Sequence, residues 1–187
     1  MIETLREEVA AWALTQIGRP AVNHGKLAGC AFGATRPECM RLGMDKAGYD
    51  CSGLVIAGVA AVTGMHVHDW PQDERHVRQM QQQAATAEVT ALRPGDLAVF
   101  ARYYNFDSLE PECVPGHIGI VVETDMSAGS YRYVHTSNET RRVELTNATL
   151  HEPSPHEEIL GLIHPLRLAE QALASRPLPF MAETVQA

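Results

Sequence analysis

Apolar residues recur at helical spacing near the start of the chain, where Leu5, Val9, Trp12, Ala13 and Ile17 fall on one face of the run Thr4 to Ile17. Gly18 and Pro20 close this run, glycine by accepting left-handed backbone and proline by lacking an N–H donor. From Asn23 to Tyr49 no period persists, and glycine, proline and two cysteines mark a long loop. A second helix is predicted from Cys51, with Leu54, Val55, Val59 and Val62 inward and Thr63-Gly64 at its end. Its small residues Gly53, Ala57, Gly58, Ala60 and Ala61 allow close packing against a sheet. A third helix is predicted from about Gln72 to Ala85, with Pro71 near its start and Val77, Met80 and Ala84 inward.

After Pro94-Gly95 the period changes to that of strands. Asp96–Arg102, His117–Glu123, Tyr131–Thr136, Arg141–Leu145 and Ile159–His164 read as strands separated by turn residues. Helices followed by successive short strands predict an α+β fold, with N-terminal helices packed on a central antiparallel sheet of about five to six strands. With 187 residues the chain builds one core. Residues 1–166 are read as a single domain and 167–187 as a partly disordered tail.

Charge removes several classes of function. The net charge is −8 and no basic run exceeds Arg141–Arg142, so no nucleic-acid partner is expected. Membrane-surface binding is disfavoured for the same reason, and the longest apolar stretch, Leu54 to Val62, is too short to span a bilayer. The acidic start, Met1-Ile2-Glu3-Thr4-Leu5-Arg6-Glu7-Glu8, does not read as a secretory signal peptide. Cys30, Cys39, Cys51 and Cys113 make no dense disulfide framework. Cys30 and Cys39 are read as free thiols, with a short-loop bridge under oxidising conditions as the alternative. His66, His68 and His76 lack the spacing of a metal site, so no metal and no cofactor are expected.

The candidate chemistry lies in three segments. In Gly48-Tyr49-Asp50-Cys51-Ser52-Gly53-Leu54-Val55, Cys51 falls in the first turn of a helix. Unpaired N–H groups and the helix dipole favour thiolate there, and the same N–H groups can hold an oxyanion. In Pro115-Gly116-His117-Ile118-Gly119-Ile120-Val121-Val122, strand alternation sends Ile118, Ile120 and Val122 to the core and His117 to the opposite face. His117 is the candidate base, and Gly119 is expected to leave room for a helix or a substrate. In Tyr131-Arg132-Tyr133-Val134-His135-Thr136, His135 shares a face with both tyrosines. Pairing of the two strands would let His135 fix the tautomer of His117, the orienting role in a triad.

Asp50-Cys51-Ser52-Gly53-Leu54-Val55, Leu92-Arg93-Pro94-Gly95-Asp96-Leu97-Ala98-Val99-Phe100 and Gly116-His117-Ile118-Gly119-Ile120 together resemble the NlpC family of papain-like cysteine peptidases, which cut bacterial cell-wall peptides. The similarity runs from the first helix to about His164, and Trp70-Pro71-Gln72-Asp73 is similar to the family's entry into its third helix. The resemblance implies a papain-like fold, Cys51 as nucleophile, His117 as base and His135 as orienting residue; Asp50 and Ser52, which flank Cys51, are the candidates to contact substrate and oxyanion. The family's Tyr-Val-Trp-Gly-Gly after the first helix is missing: Ala21-Val22-Asn23-His24-Gly25 stands there, and Asn23 and His24 are the candidates to replace the tyrosine. The loops before Cys51 and over Tyr103–Pro115 are longer than usual.

The expected reaction is hydrolysis of an amide in a peptidoglycan stem peptide, between D-glutamate and the diamino acid, through a Cys51 thioester. The expected setting is synthesis in the cytoplasm and delivery to the wall or periplasm by a signal-independent route, as an effector or phage-type lytic enzyme. A delivery machine and an immunity or inhibitor protein are the expected protein partners. The alternative is a papain-like acyltransferase, transglutaminase-like enzyme or deamidase acting on a protein.

Overall fold

The structure, a computed structural model, describes residues 2–21, 48–64, 91–104, 112–150, 158–165 and 169. Helix α1 spans Ile2–Leu14 and α2 spans Cys51–Thr63. Strands β1 (Leu97–Tyr104), β2 (Glu112–Asp125), β3 (Ser130–Thr136), β4 (Val143–Thr149) and β5 (Ile159–Ile163) form one antiparallel sheet in the order β4-β3-β2-β1-β5. The α+β class and the antiparallel sheet agree with the sequence reading. The third helix at Gln72 to Ala85, the residues Asn23, His24, Cys30 and Cys39, and the tail beyond Ala169 lie outside the described residues.

Helix α2 is apolar on every side, which suits only a buried element. Ser52 to Ala60 are all buried, and the helix packs against both α1 and the sheet. Glycine at position 58 permits the close approach to α1: a Cβ there would stand 2.9 Å from Cε3 of Trp12. The small-residue face expected to meet the sheet thus meets a helix at this point as well. Asp50 caps the N-terminus, its carboxylate accepting from the Gly53 N–H at 2.7 Å and the Ser52 hydroxyl at 3.0 Å. Gly64 ends the helix in left-handed backbone (φ 71°), as Thr63-Gly64 predicts.

Both faces of the sheet are covered by apolar side chains. Ile118, Ile120, Val134 and Val143 pack with Leu54, Val55 and Val59 on the helical side. Phe100, Val121, Tyr131, Tyr133 and Leu162 form a second cluster. Val121 is fully buried in it, so the face of β2 opposite the helices is a second core rather than an open surface.

Several boundaries differ from the sequence reading. Helix α1 stops at Leu14 and the chain continues in turns to Gly18, so Ile17 is exposed. Strand β2 begins at Glu112, five residues before His117, and pairs with β1 out to Tyr104↔Glu112. The pairs Phe100↔His117 and Ala101↔Pro115 are consecutive, which leaves Gly116 as the extra residue of a bulge. Strand β4 begins two residues late, after Arg141 takes left-handed backbone (φ 57°), and runs on to Thr149.

The Leu92-Arg93-Pro94-Gly95-Asp96 string fastens α1 to the sheet. Gly95 adopts φ 89° against the backbone of Arg6, where any Cβ would overlap the Arg6 carbonyl. Arg6 donates through Nε to Asp96 Oδ1 at 3.0 Å, with Nη2 at 3.0 Å from the same oxygen, and the Arg93 N–H caps the other oxygen at 3.0 Å. Burial raises the Asp96 carboxyl above its ordinary range, and the Arg6 guanidinium opposes that rise. This family-like string is therefore a fold determinant rather than part of the site.

Candidate active site

Cys51 is the first residue of α2 and a free thiol. Tyr49 holds the chain in front of it. Its ring is buried edge-on to Trp12 at 6.3 Å, its hydroxyl donates to Gln16 Oε1 at 3.0 Å, and its N–H donates to the Pro20 carbonyl at 3.1 Å. With Tyr49 packed and Asp50 held in the helix cap, the backbone that carries the sulfur is fixed in place.

The backbone N–H groups of Ile118, Ser52 and Cys51 lie near enough to the sulfur to favour its thiolate. Ladder geometry explains the first. Val121 donates to the Asp96 carbonyl on the β1 side, so by alternation the N–H groups of Ile120 and Ile118 point toward β3. Pairing of β2 with β3 begins only at Ile120↔Val134. The Ile118 N–H lies past the end of that ladder and meets the sulfur instead. Cys51 packs against the helical-side core, with its sulfur near the Ile118 N–H.

His117 leaves β2 on the side of the second core, 6.1 Å from the Phe100 ring. Its Nε2 lies 2.8 Å from Nδ1 of His135, a hydrogen-bonding distance, with the two rings nearly perpendicular at 83°. The bulge at Gly116 immediately precedes His117 and sets the direction in which it leaves the strand. Tyr133 stacks on His135 at 4.7 Å and on Phe100 at 4.7 Å, so both imidazoles rest on a row of packed rings. Gly119 makes room for this row: a Cβ there would stand 2.8 Å from the Tyr133 ring and 3.3 Å from Cβ of His135. The space expected for a helix or substrate is filled by the site's own side chains.

The thiol is less acidic than a helix N-terminus alone would make it. Burial pushes its pKa up to about 11, the Asp50 charge pushes the same way, and the three N–H groups pull it down. The expectation of a lowered pKa is corrected: the helix acts in the expected direction, but desolvation is larger. A thiol of this kind needs a base to ionise near neutral pH. Ser52 is buried with its hydroxyl turned to the Asp50 carboxylate, so both residues serve the helix cap here.

Two residues that the sequence reading passed over complete the row. Nε2 of His135 lies 2.9 Å from Thr146 Oγ1 and 3.6 Å from Glu144 Oε1. Glu144 lay within the strand expected at Arg141–Leu145. Alternation with Val143 and Leu145 would have put it on the face away from the helices, but the register that sets it opposite His135 was not available from pattern alone. Among the described residues no group of three or more His, Cys, Asp or Glu side chains is arranged to hold a metal ion.

Residues 32–159 match the NlpC/P60 family, more than half of the chain, and the protein belongs to that family. Its members are in general cysteine peptidases and amidases, with activity on the cell wall. The match starts after α1 and ends as β5 begins, narrower at both ends than the motifs implied, and it contains Cys51, His117 and His135. Comparison with curated proteins and with solved structures gives no match.

Proposed function

We propose that this protein is a papain-like cysteine hydrolase of the cell wall, with Cys51 as nucleophile, His117 as base and His135 as the residue that orients His117. The observations that support the proposal are a sulfur near the Ile118 N–H and, on the preceding residue of β2, an imidazole 2.8 Å from a second imidazole. Family membership supports the reaction class.

The steps follow from the groups present. His117 takes the thiol proton as the sulfur attacks an amide carbonyl. In this reading the Cys51 N–H, with one further donor, stabilises the oxyanion. His117 then gives its proton to the leaving amine, and water hydrolyses the thioester. A carbonyl carbon must come within about 3.5 Å of the sulfur for attack.

The substrate in this reading is a peptidoglycan stem peptide, cut between D-glutamate and the diamino acid. Such a substrate puts the place of action at the wall or periplasm. The proposal therefore includes delivery there as an effector or phage-type lytic enzyme, and an immunity or inhibitor protein as partner. The test is mass spectrometry of purified peptidoglycan and its stem peptides after digestion, with Cys51→Ala as control. New termini at one amide bond, absent with Cys51→Ala, support the reading; intact stem peptides with active wild-type thiol defeat the substrate assignment.

A further inference from the structure

The hydrogen-bonded row extends past His135 to β4. Glu144 is the cross-strand partner of His135, and Thr146, two residues on, shares its face of the strand. The second oxygen of Glu144 accepts from the Thr140 hydroxyl at 2.8 Å, which fixes the carboxylate next to the ring. Oε1 stands 3.6 Å from His135 Nε2, and the Thr146 hydroxyl 2.9 Å from the same nitrogen.

A neutral imidazole has one N–H donor and one acceptor nitrogen, so what one nitrogen meets decides what the other can do. A hydroxyl donates or accepts, and Thr146 alone leaves the choice open. A carboxylate only accepts. Glu144 therefore favours the proton on Nε2 of His135, which leaves Nδ1 as a lone pair. That lone pair faces Nε2 of His117 and calls for the proton there. Nδ1 of His117 is then unprotonated and able to take the proton of the thiol. In the opposite pair of tautomers His117 carries its proton on Nδ1 and has no lone pair there to act as base.

We propose that Glu144, held by Thr140 and aided by Thr146, is a positioning residue that sets the tautomer of His135 and, through it, that of His117. The proposal rests on the reading of Cys51 and His117 as thiol and base. The titratable groups facing His135 include His117 from β2, Glu144 from β4 and Tyr133 beside it on β3. Glu144 is 33% exposed, so its replacement by glutamine disturbs little packing.

The test uses the full chain carrying Glu144→Gln, which keeps the size of the side chain but can donate as well as accept. Glu123→Gln is the control, since that carboxylate pairs with Arg132 on the surface at 2.7 Å. Two measurements need no substrate: the ring ¹⁵N shifts of His117 and His135, and the pH dependence of iodoacetamide alkylation at the Cys51 peptide. In the wild type and in Glu123→Gln both histidines are expected as Nε2–H tautomers. In Glu144→Gln the tautomers are expected to mix and alkylation near neutral pH to slow about tenfold, far less than the ~10⁴-fold loss when a triad's orienting group enforces the wrong tautomer. Wild-type shifts and alkylation in Glu144→Gln overturn the proposal while leaving Cys51 and His117 in their roles. Wild-type alkylation that matches His117→Ala at every pH overturns those roles, and the proposal with them.

Discussion

Gly119 lies across from His135 so closely that a Cβ on it would stand 3.3 Å from Cβ of His135 and 3.1 Å from the Val134 carbonyl oxygen. It would also meet the Tyr133 ring at 2.8 Å, and that ring is buried between Phe100 and His135 and has nowhere to go. Gly119→Ala is therefore expected to push His135 off His117. Overpacking of this kind costs about 1–3 kcal/mol of stability. Misplacing the orienting residue by a fraction of an ångström to an ångström costs roughly 10²-fold in rate. The paired measurement is thermal unfolding and turnover of Gly119→Ala; a variant as active as the wild type would show that the glycine serves packing alone.

The roles assigned to the row make a graded prediction. Cys51→Ala and His117→Ala are expected to abolish turnover of a stem-peptide substrate, the loss of a base alone being worth about 10²–10⁴-fold. His135→Ala is expected to retain weak activity, because an imidazole without its orienting partner still samples the right tautomer. Steady-state kinetics of the three variants decide the order. Activity retained in Cys51→Ala would remove the nucleophile assignment altogether.

Asp50 acts on the thiol in two ways that substitution separates. Its carboxylate caps α2 and its charge raises the pKa of Cys51. Asp50→Asn keeps a capping oxygen and removes the charge, so the thiol is expected to ionise at lower pH with little loss of stability. Asp50→Ala removes both and is expected to cost about 1 kcal/mol of helix stability as well. Alkylation of Cys51 against pH, measured in a His117→Ala background to silence the base, reads the first effect; unfolding by urea reads the second. An unmoved alkylation curve in Asp50→Asn would mean that the charge is screened from the sulfur.

How far the sequence discloses this site depends on whether a residue's surroundings are local. The ends of α2 are local: Asp50 caps one, Gly64 turns the other, and both are visible in the residues themselves. The alternation that sends Ile118 inward and His117 outward is local too. The bulge is not, because Pro115 reads as a strand breaker, and only the register with β1 shows that β2 continues through Pro115-Gly116. Glu144 and Thr146 were missed for the same reason: their meaning lies in which residue of β3 stands opposite, and register is set by the whole sheet. The raised pKa of Cys51 depends on burial by elements distant in sequence, which a helix-terminus argument cannot supply.

Burial near the site also predicts how stability responds to alkali. Tyr49 titrates near 12 in the folded chain against an ordinary 10.0, because burial outweighs the pull of Arg19; Cys51 titrates near 11 against an ordinary 9.0, for the causes given above. For both groups the folded state holds its proton to higher pH than the unfolded state. Their stabilising contribution is thus complete below about pH 9 and is lost as pH rises through 9 to 12. At ~1.4 kcal/mol per pH unit and group, the loss amounts to at most a few kcal/mol, enough to matter in a domain only about 5–15 kcal/mol stable. Urea unfolding between pH 8 and about 11.5 is expected to show a falling curve in the wild type. Cys51→Ala should remove its first part, and Tyr49→Phe, which starts lower for want of the bond to Gln16, should flatten the second. If both variants fall in parallel with the wild type, other groups cause the decline, and the thiol and phenol are not held protonated by burial.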